Sequence, residues 1–179
     1  MQVAIIGAGP LGRRLALAAA RAGFRVALED VMPTNLHHAR EALRQALGPE
    51  ALGETGHVAL VSTIEDAVRE ADLAIDCVPD ELESKLEIFC LLDRMAPPRT
   101  VLATPSTHMS IADLASCTYR ADRCVAVAAN AAVLAEETPG ALVIRTGPQT
   151  SRETVELVRT FWERIGYAVA FEDDPTLTV

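Results

Sequence analysis

Gly7, Gly9 and Gly12 stand in the run Gly7-Ala8-Gly9-Pro10-Leu11-Gly12, and two acids, Glu29 and Asp30, close the next apolar run, Val26-Ala27-Leu28. Each residue type has a use at that spacing. A glycine at 7 permits a tight turn. One at 9 lets a backbone come close to a pyrophosphate, and one at 12 lets a helix pack closely on a strand. The first turn of such a helix offers unpaired N–H groups and a partial positive charge to phosphates. Pro10, at the start of that helix, gives up an N–H that has no partner there anyway. A carboxylate at the tip of the second strand can accept hydrogen bonds from ribose hydroxyls. Asp30 is the preferred residue for this, with Glu29 as the competing choice. Strand, glycine turn, helix, strand and acid together make a dinucleotide-binding fingerprint in its full context. A carboxylate there repels a 2′-phosphate, and Val31-Met32 supplies no arginine to accept one. The expected cofactor is therefore NAD rather than NADP.

The elements that must hold these residues follow from periodicity. Strands are predicted near 2–6, 25–29, 57–61, 72–77, 100–104, 123–128, 141–145 and 167–171, and helices near 10–22, 34–47, 64–70, 81–94, 110–116 and 151–165. In the first helix Leu11, Leu15, Ala18 and Ala19 fall on one face and Arg13, Arg14 and Arg21 on the other. Thr150-Ser151-Arg152-Glu153 has cap-type residues and an early acid, as a helix start does. Strands alternating with helices predict an α/β fold of Rossmann type, a doubly wound, mainly parallel sheet with helices on both faces. One domain is expected over residues 1–179, with Glu137-Thr138-Pro139-Gly140 as an internal loop.

Composition narrows the function classes. Half the residues are hydrophobic and only 4% aromatic, so Ala, Val, Leu and Ile must build the core. A net charge of −9 argues against nucleic acid or an anionic membrane as a general partner. No apolar run approaches a membrane span. The start, Met1-Gln2-Val3-Ala4-Ile5, has no basic segment of the secretory kind, so a cytoplasmic location is expected. Cys77, Cys90, Cys117 and Cys124 lack metal-type spacing and read as reduced, buried thiols.

Beyond the fingerprint, the chain resembles the N-terminal domain of the 3-hydroxyacyl-CoA dehydrogenases. The resemblance rests on Val3 to Asp30, on Ala71-Asp72-Leu73-Ala74-Ile75-Asp76-Cys77-Val78-Pro79-Asp80 continuing to Lys85, and on Ala96-Pro97-Pro98 through Leu102-Ala103-Thr104-Pro105-Ser106-Thr107. It covers nearly the whole chain. It implies that Val78, Pro79 and Asp80 line the cofactor site, with Asp80 near the nicotinamide ribose. It implies that Lys85 reaches the cofactor or an acyl-CoA phosphate, and that Thr107 stands where the family has a substrate-contacting serine. It also implies a small acyl-type substrate.

Departures from the family are as informative. Its general base, a histidine, aligns with Ala128, and the glutamate that orients that base falls on Gly140 or Leu142. Neither position can move a proton, and positioned acid–base groups are worth roughly 10² to 10⁴ in rate. The long helical hairpin that helps the family hold CoA is replaced by one helix and a short loop between Asp30 and His57. The sequence stops near Thr176-Leu177-Thr178-Val179, about where the family's helical C-terminal domain begins. An apolar face left without that domain would favour a homodimer.

His108 is the candidate substitute base, because Ser106-Thr107-His108 follows a strand end near the expected nicotinamide site. The plainer reading of His108 is a solvent-exposed loop residue. His37, His38, His57, Glu136 and Glu137 are weaker candidates. Two functions stay open at this level. One is an NAD-dependent dehydrogenase oxidising a 3-hydroxyacyl thioester or related hydroxy acid. The other is a non-catalytic NAD-binding module with a redox-sensing or regulatory task.

Overall fold

A computed structural model describes residues 1–53, 57–129, 134 and 139–174. Eight strands form one sheet: β1 (Gln2–Ile6), β2 (Arg25–Glu29), β3 (Val58–Val61), β4 (Leu73–Asp76), β5 (Val101–Pro105), β6 (Cys124–Val127), β7 (Ala141–Thr146) and β8 (Ala168–Asp173). Their order is β3-β2-β1-β4-β5-β6-β7-β8. Every neighbouring pair is parallel except β6 and β7. The order reverses beside β1: the chain moves outward through β2 to β3, then returns to place β4 on the other side of β1. Open α/β sheets bind ligands at such a reversal, at the carboxyl ends of the strands.

The helices are α1 (Pro10–Arg21), α2 (Pro33–Leu47), α3 (Ile64–Val68), α4 (Leu82–Met95), α5 (Ile111–Ala115) and α6 (Arg152–Arg164). Pro10 sits in the first turn of α1, and Ser151 caps α6 by accepting the Thr154 N–H, as their residue types predict. Strand alternation divides the core in two. Val3, Ile5 and Leu28 pack with Leu15, Leu43, Phe161 and Trp162 on the face of α1, α2 and α6. Ala4, Ile6 and Ala27 pack with Val68, Phe89 and Leu114 on the face of α3, α4 and α5. In α1 the buried positions are Leu11, Gly12, Leu15, Ala16, Ala19 and Ala20, whereas Ala18 is only half-buried. The expected inward face is thus rotated slightly, because α1 packs against α2 as well as the sheet. Among the described residues, no helix is long and apolar enough to cross a membrane.

Candidate dinucleotide site

The glycine turn is shaped by contacts that a side chain would destroy. Gly7 has φ +105°, and a Cβ there would stand 3.2 Å from the Cys77 carbonyl oxygen. A Cβ on Gly12 would collide with the Gly7 carbonyl oxygen, so α1 can lie this close to β1 only without one. Gly9 differs. Its φ of −66° suits any residue, and a Cβ there would meet no protein atom within 4 Å. The chain's own packing therefore does not demand glycine at 9. Open space above this backbone suits a group that must approach it closely, as a pyrophosphate does.

A cleft of about 720 Å³ opens at the carboxyl ends of β1, β2 and β4. Its wall includes Gly7, Gly9, Pro10, Leu11, Asp30, Val78, Pro79 and Asp80 among the residues expected from sequence. The Asp30 carboxylate accepts the Ala8 N–H (2.8 Å), the Met32 N–H (2.8 Å) and the Asn35 side-chain amide (3.0 Å). These bonds tie the glycine turn to the start of α2. A carboxylate has roughly four acceptor positions, so capacity remains for a ribose hydroxyl. Asn35, which also lines the cleft, was not singled out by the sequence reading. Its signal is an amide early in the helix that follows the acid.

Glu29 lines the cleft beside Asp30. Burial, reinforced by the neighbouring Asp30 charge, pushes its carboxyl up to about 7.

Lys85 requires a correction. Rather than reaching toward a cofactor or a phosphate, its side chain is 1% exposed and turned under the cleft floor. Its Nζ donates to Asp76 Oδ2 (3.1 Å) and Thr104 Oγ1 (2.9 Å). Thr104 also donates to Asp76 Oδ2 at 2.9 Å, and the Val78 N–H donates to Asp76 Oδ1 at 2.9 Å. The physical reason is Asp76, a carboxylate at 0% exposure at the end of an otherwise apolar strand. A buried charge needs a partner, and Lys85, one turn into α4, is the cation within reach. Burial still pushes the Asp76 carboxyl above its ordinary range, against the pull of Lys85. The cluster's sequence signal was Asp76 itself, an acid inside a parallel strand.

Of the candidate proton-transfer residues, neither Thr107 nor His108 lines the cleft, and His108 meets it through Asp80. His108 Nδ1 stands 3.5 Å from Asp80 Oδ2, with the two side chains 63% and 32% exposed. Thr107 is exposed, and its carbonyl accepts a hydrogen bond from Arg145. Ala128 is half-buried, and its N–H donates to the Val143 carbonyl. Leu142 is buried within β7, and Gly140 accepts the Ala168 N–H. His57 is exposed at the far edge strand, while Glu136, Glu137 and Asn130 to Ala132 lie outside the described residues. Among the described residues, no cluster of His, Cys, Asp or Glu could hold a metal ion.

This geometry can be set beside known proteins. Residues 2–173 match the family described as "3-hydroxyacyl-CoA dehydrogenase, NAD binding domain". The chain belongs to this family. It is 31% identical over 136 residues to a probable 3-hydroxybutyryl-CoA dehydrogenase of Bacillus subtilis, covering 69% of this chain and 46% of the relative. It is 30% identical over 194 aligned positions to the mitochondrial hydroxyacyl-coenzyme A dehydrogenase of Sus scrofa, covering 99% of this chain and 60% of the relative. The crystal structure of a 3-hydroxyacyl-CoA dehydrogenase from Archaeoglobus fulgidus superposes with a TM-score of 0.81 at 25% identity, covering 99% of this chain and 58% of that one. The chain thus spans about half the length of these relatives. The family's cofactor is NAD, and the cleft residues fit it: an open backbone at Gly9, a helix start behind it, and a fixed acid at the tip of β2.

Proposed function

We propose that this chain is the NAD(H)-binding part of an oxidoreductase acting on a 3-hydroxyacyl thioester or a related hydroxy acid, with His108 as its proton acceptor. The single observation that carries this reading is the contact between His108 Nδ1 and Asp80 Oδ2 at 3.5 Å, beside the cleft that Asp80 lines. A carboxylate on Nδ1 orients an imidazole and leaves Nε2 free to take a proton. The same division of labour is missing at Ala128 and at Gly140 or Leu142. NAD, when bound, supplies the hydride acceptor. The chain's own residues then have distinct tasks. The backbone from Gly7 to Gly12 and the α1 start hold the pyrophosphate, Asp30 holds the adenosine ribose, and Val78 to Asp80 form the nicotinamide end. Thr107 offers a hydroxyl to the substrate, and His108 takes the proton from the substrate hydroxyl.

The test is NADH production from NAD and 3-hydroxybutyryl-CoA by the purified chain. Turnover that falls about 10²-fold or more in His108→Ala supports the assignment. Turnover unchanged in that variant refutes it.

A second reading is favoured by Ala128: the chain binds NAD(H) and turns nothing over, as a redox-sensing or regulatory module. Saturable NADH binding without production of NADH from any hydroxyacyl compound would select it. Homodimerisation and a cytoplasmic setting belong to both readings. A monomeric mass in solution at micromolar concentration refutes the dimer.

A further inference from the structure

Glu29 closes β2 and Asp30 follows it, and the two successive side chains turn to opposite sides of the sheet. Asp30 turns toward α2 and the glycine turn, where three donors hold it. Glu29 turns the other way. Its cross-strand neighbours are Ile6 on β1 and Val61 on β3. Ile64, Val78 and Ile88 share the cleft wall with it. Glu29 is 6% exposed, and what is exposed faces the cleft that it lines, where no protein donor among the described residues holds its carboxyl. A carboxyl that opens into an apolar-walled cleft is free to pair with a ligand that supplies donors and acceptors there.

The surroundings define that ligand. Apolar walls suit a flat heteroaromatic ring, and one carboxyl at its rim suits a polar edge. Resting on the NAD reading above, we propose that the Glu29 carboxyl reads the edge of the adenine base. Adenine carries its amino donor beside ring-nitrogen acceptors. Side chains that pair with that edge offer one donor and one acceptor together, as Asn and Gln do. A protonated carboxyl offers the same pair, whereas a carboxylate offers acceptors only.

The charges around Glu29 favour the neutral form. Asp30 adjoins it, and together with burial holds its carboxyl up near 7. Asp76 and Asp80 line the same cleft, the first paired with Lys85 and the second facing His108. α3 brings Glu65 and Asp66, both exposed, with Asp66 held by Arg69. β1 and β3 bring only Ile6 and Val61, and α4 brings Ile88. Adenosine binding at this site is therefore tied to one proton. The acid that discriminates against a 2′-phosphate (Asp30) and the acid that reads the base (Glu29) are different residues.

The experiment is fluorescence titration of the full chain with NADH at pH 6, 7 and 8, for wild type, Glu29→Gln and Glu29→Leu. Wild type should lose about tenfold in affinity from pH 6 to pH 8, as one bound proton is given up. Glu29→Gln should bind as tightly as wild type at pH 6 and show no slope. Glu29→Leu should also be flat but about fivefold to tenfold weaker than the Gln variant, having lost the polar edge. Wild-type binding that is flat with pH overturns the proposal, and so does a Leu variant as tight as the Gln variant. Absence of NADH binding in all three proteins at every pH overturns the NAD reading itself.

Discussion

Lys85→Met tests the buried cluster beneath the cleft. In the native protein Asp76 Oδ2 has Lys85 at 3.1 Å and Thr104 at 2.9 Å, and both charged side chains are essentially inaccessible to water. Methionine keeps most of the volume and removes the cation. Asp76 then keeps only two neutral donors, the Val78 N–H and the Thr104 hydroxyl. Breaking a buried pair from one side costs about 3 to 5 kcal/mol, because the remaining charge is uncompensated. With a urea slope of about 2 kcal/mol/M, the unfolding midpoint at pH 8 should fall by about 1.5 to 2.5 M. The deficit should shrink toward pH 5. Burial already raises the Asp76 carboxyl above its ordinary range, and loss of Lys85 raises it further. A raised acid is most stable in its protonated form, so its contribution is present at low pH and lost as pH rises through the folded value. The double variant Asp76→Asn with Lys85→Met buries no charge and should recover much of the loss. A Lys85→Met deficit under about 1 kcal/mol at pH 8, or a double variant as unstable as the sum of its parts, would refute the reasoning.

Three further outcomes follow from the same geometry. Gly12→Ala should cost about 3 kcal/mol or more and abolish NADH binding, because the new methyl meets the Gly7 carbonyl; Gly9→Ala, whose methyl enters open space, should leave thermal stability within about 0.5 kcal/mol while weakening NADH binding. Asp30→Asn should shift preference toward NADPH by about 1 to 3 kcal/mol in paired titrations with NADH and NADPH, since it removes the charge that repels a 2′-phosphate. Glu29→Gln should be more stable than wild type by about 1 to 2 kcal/mol at pH 8, with the gap closing toward pH 5. The sign follows from a folded value near 7, above the ordinary carboxylate range, so wild type loses stability as pH rises through it; a gap that widens on acidification in urea melts would contradict it.

Much of this protein is written in local sequence. The eight strands and their intervening helices come from periodicity and apolar runs, because the inner strands β1, β2, β4, β5 and β6 bury both faces and the helices one stripe. The glycine turn and the acid at the tip of β2 were legible because strain and close approach at Gly7 and Gly12 are backbone requirements that few residue types satisfy. The antiparallel placement of β7 against β6 was not legible, since strand direction depends on the path of the intervening chain. Nor was the role of Lys85. A lysine on a helix near a nucleotide site reads as a phosphate ligand until its nearest uncompensated charge is known. That charge, Asp76, is brought to it by the packing of α4 over β4 and β5. The contact between Asp80 and His108 likewise depends on the parallel pairing of β4 with β5, which brings together the loops that follow the two strands. Sequence by itself determined the elements, the turn and the dinucleotide-binding character, because these rest on local sterics and periodic burial. Tertiary structure decided which charges face each other, because electrostatic partners depend on distance and burial.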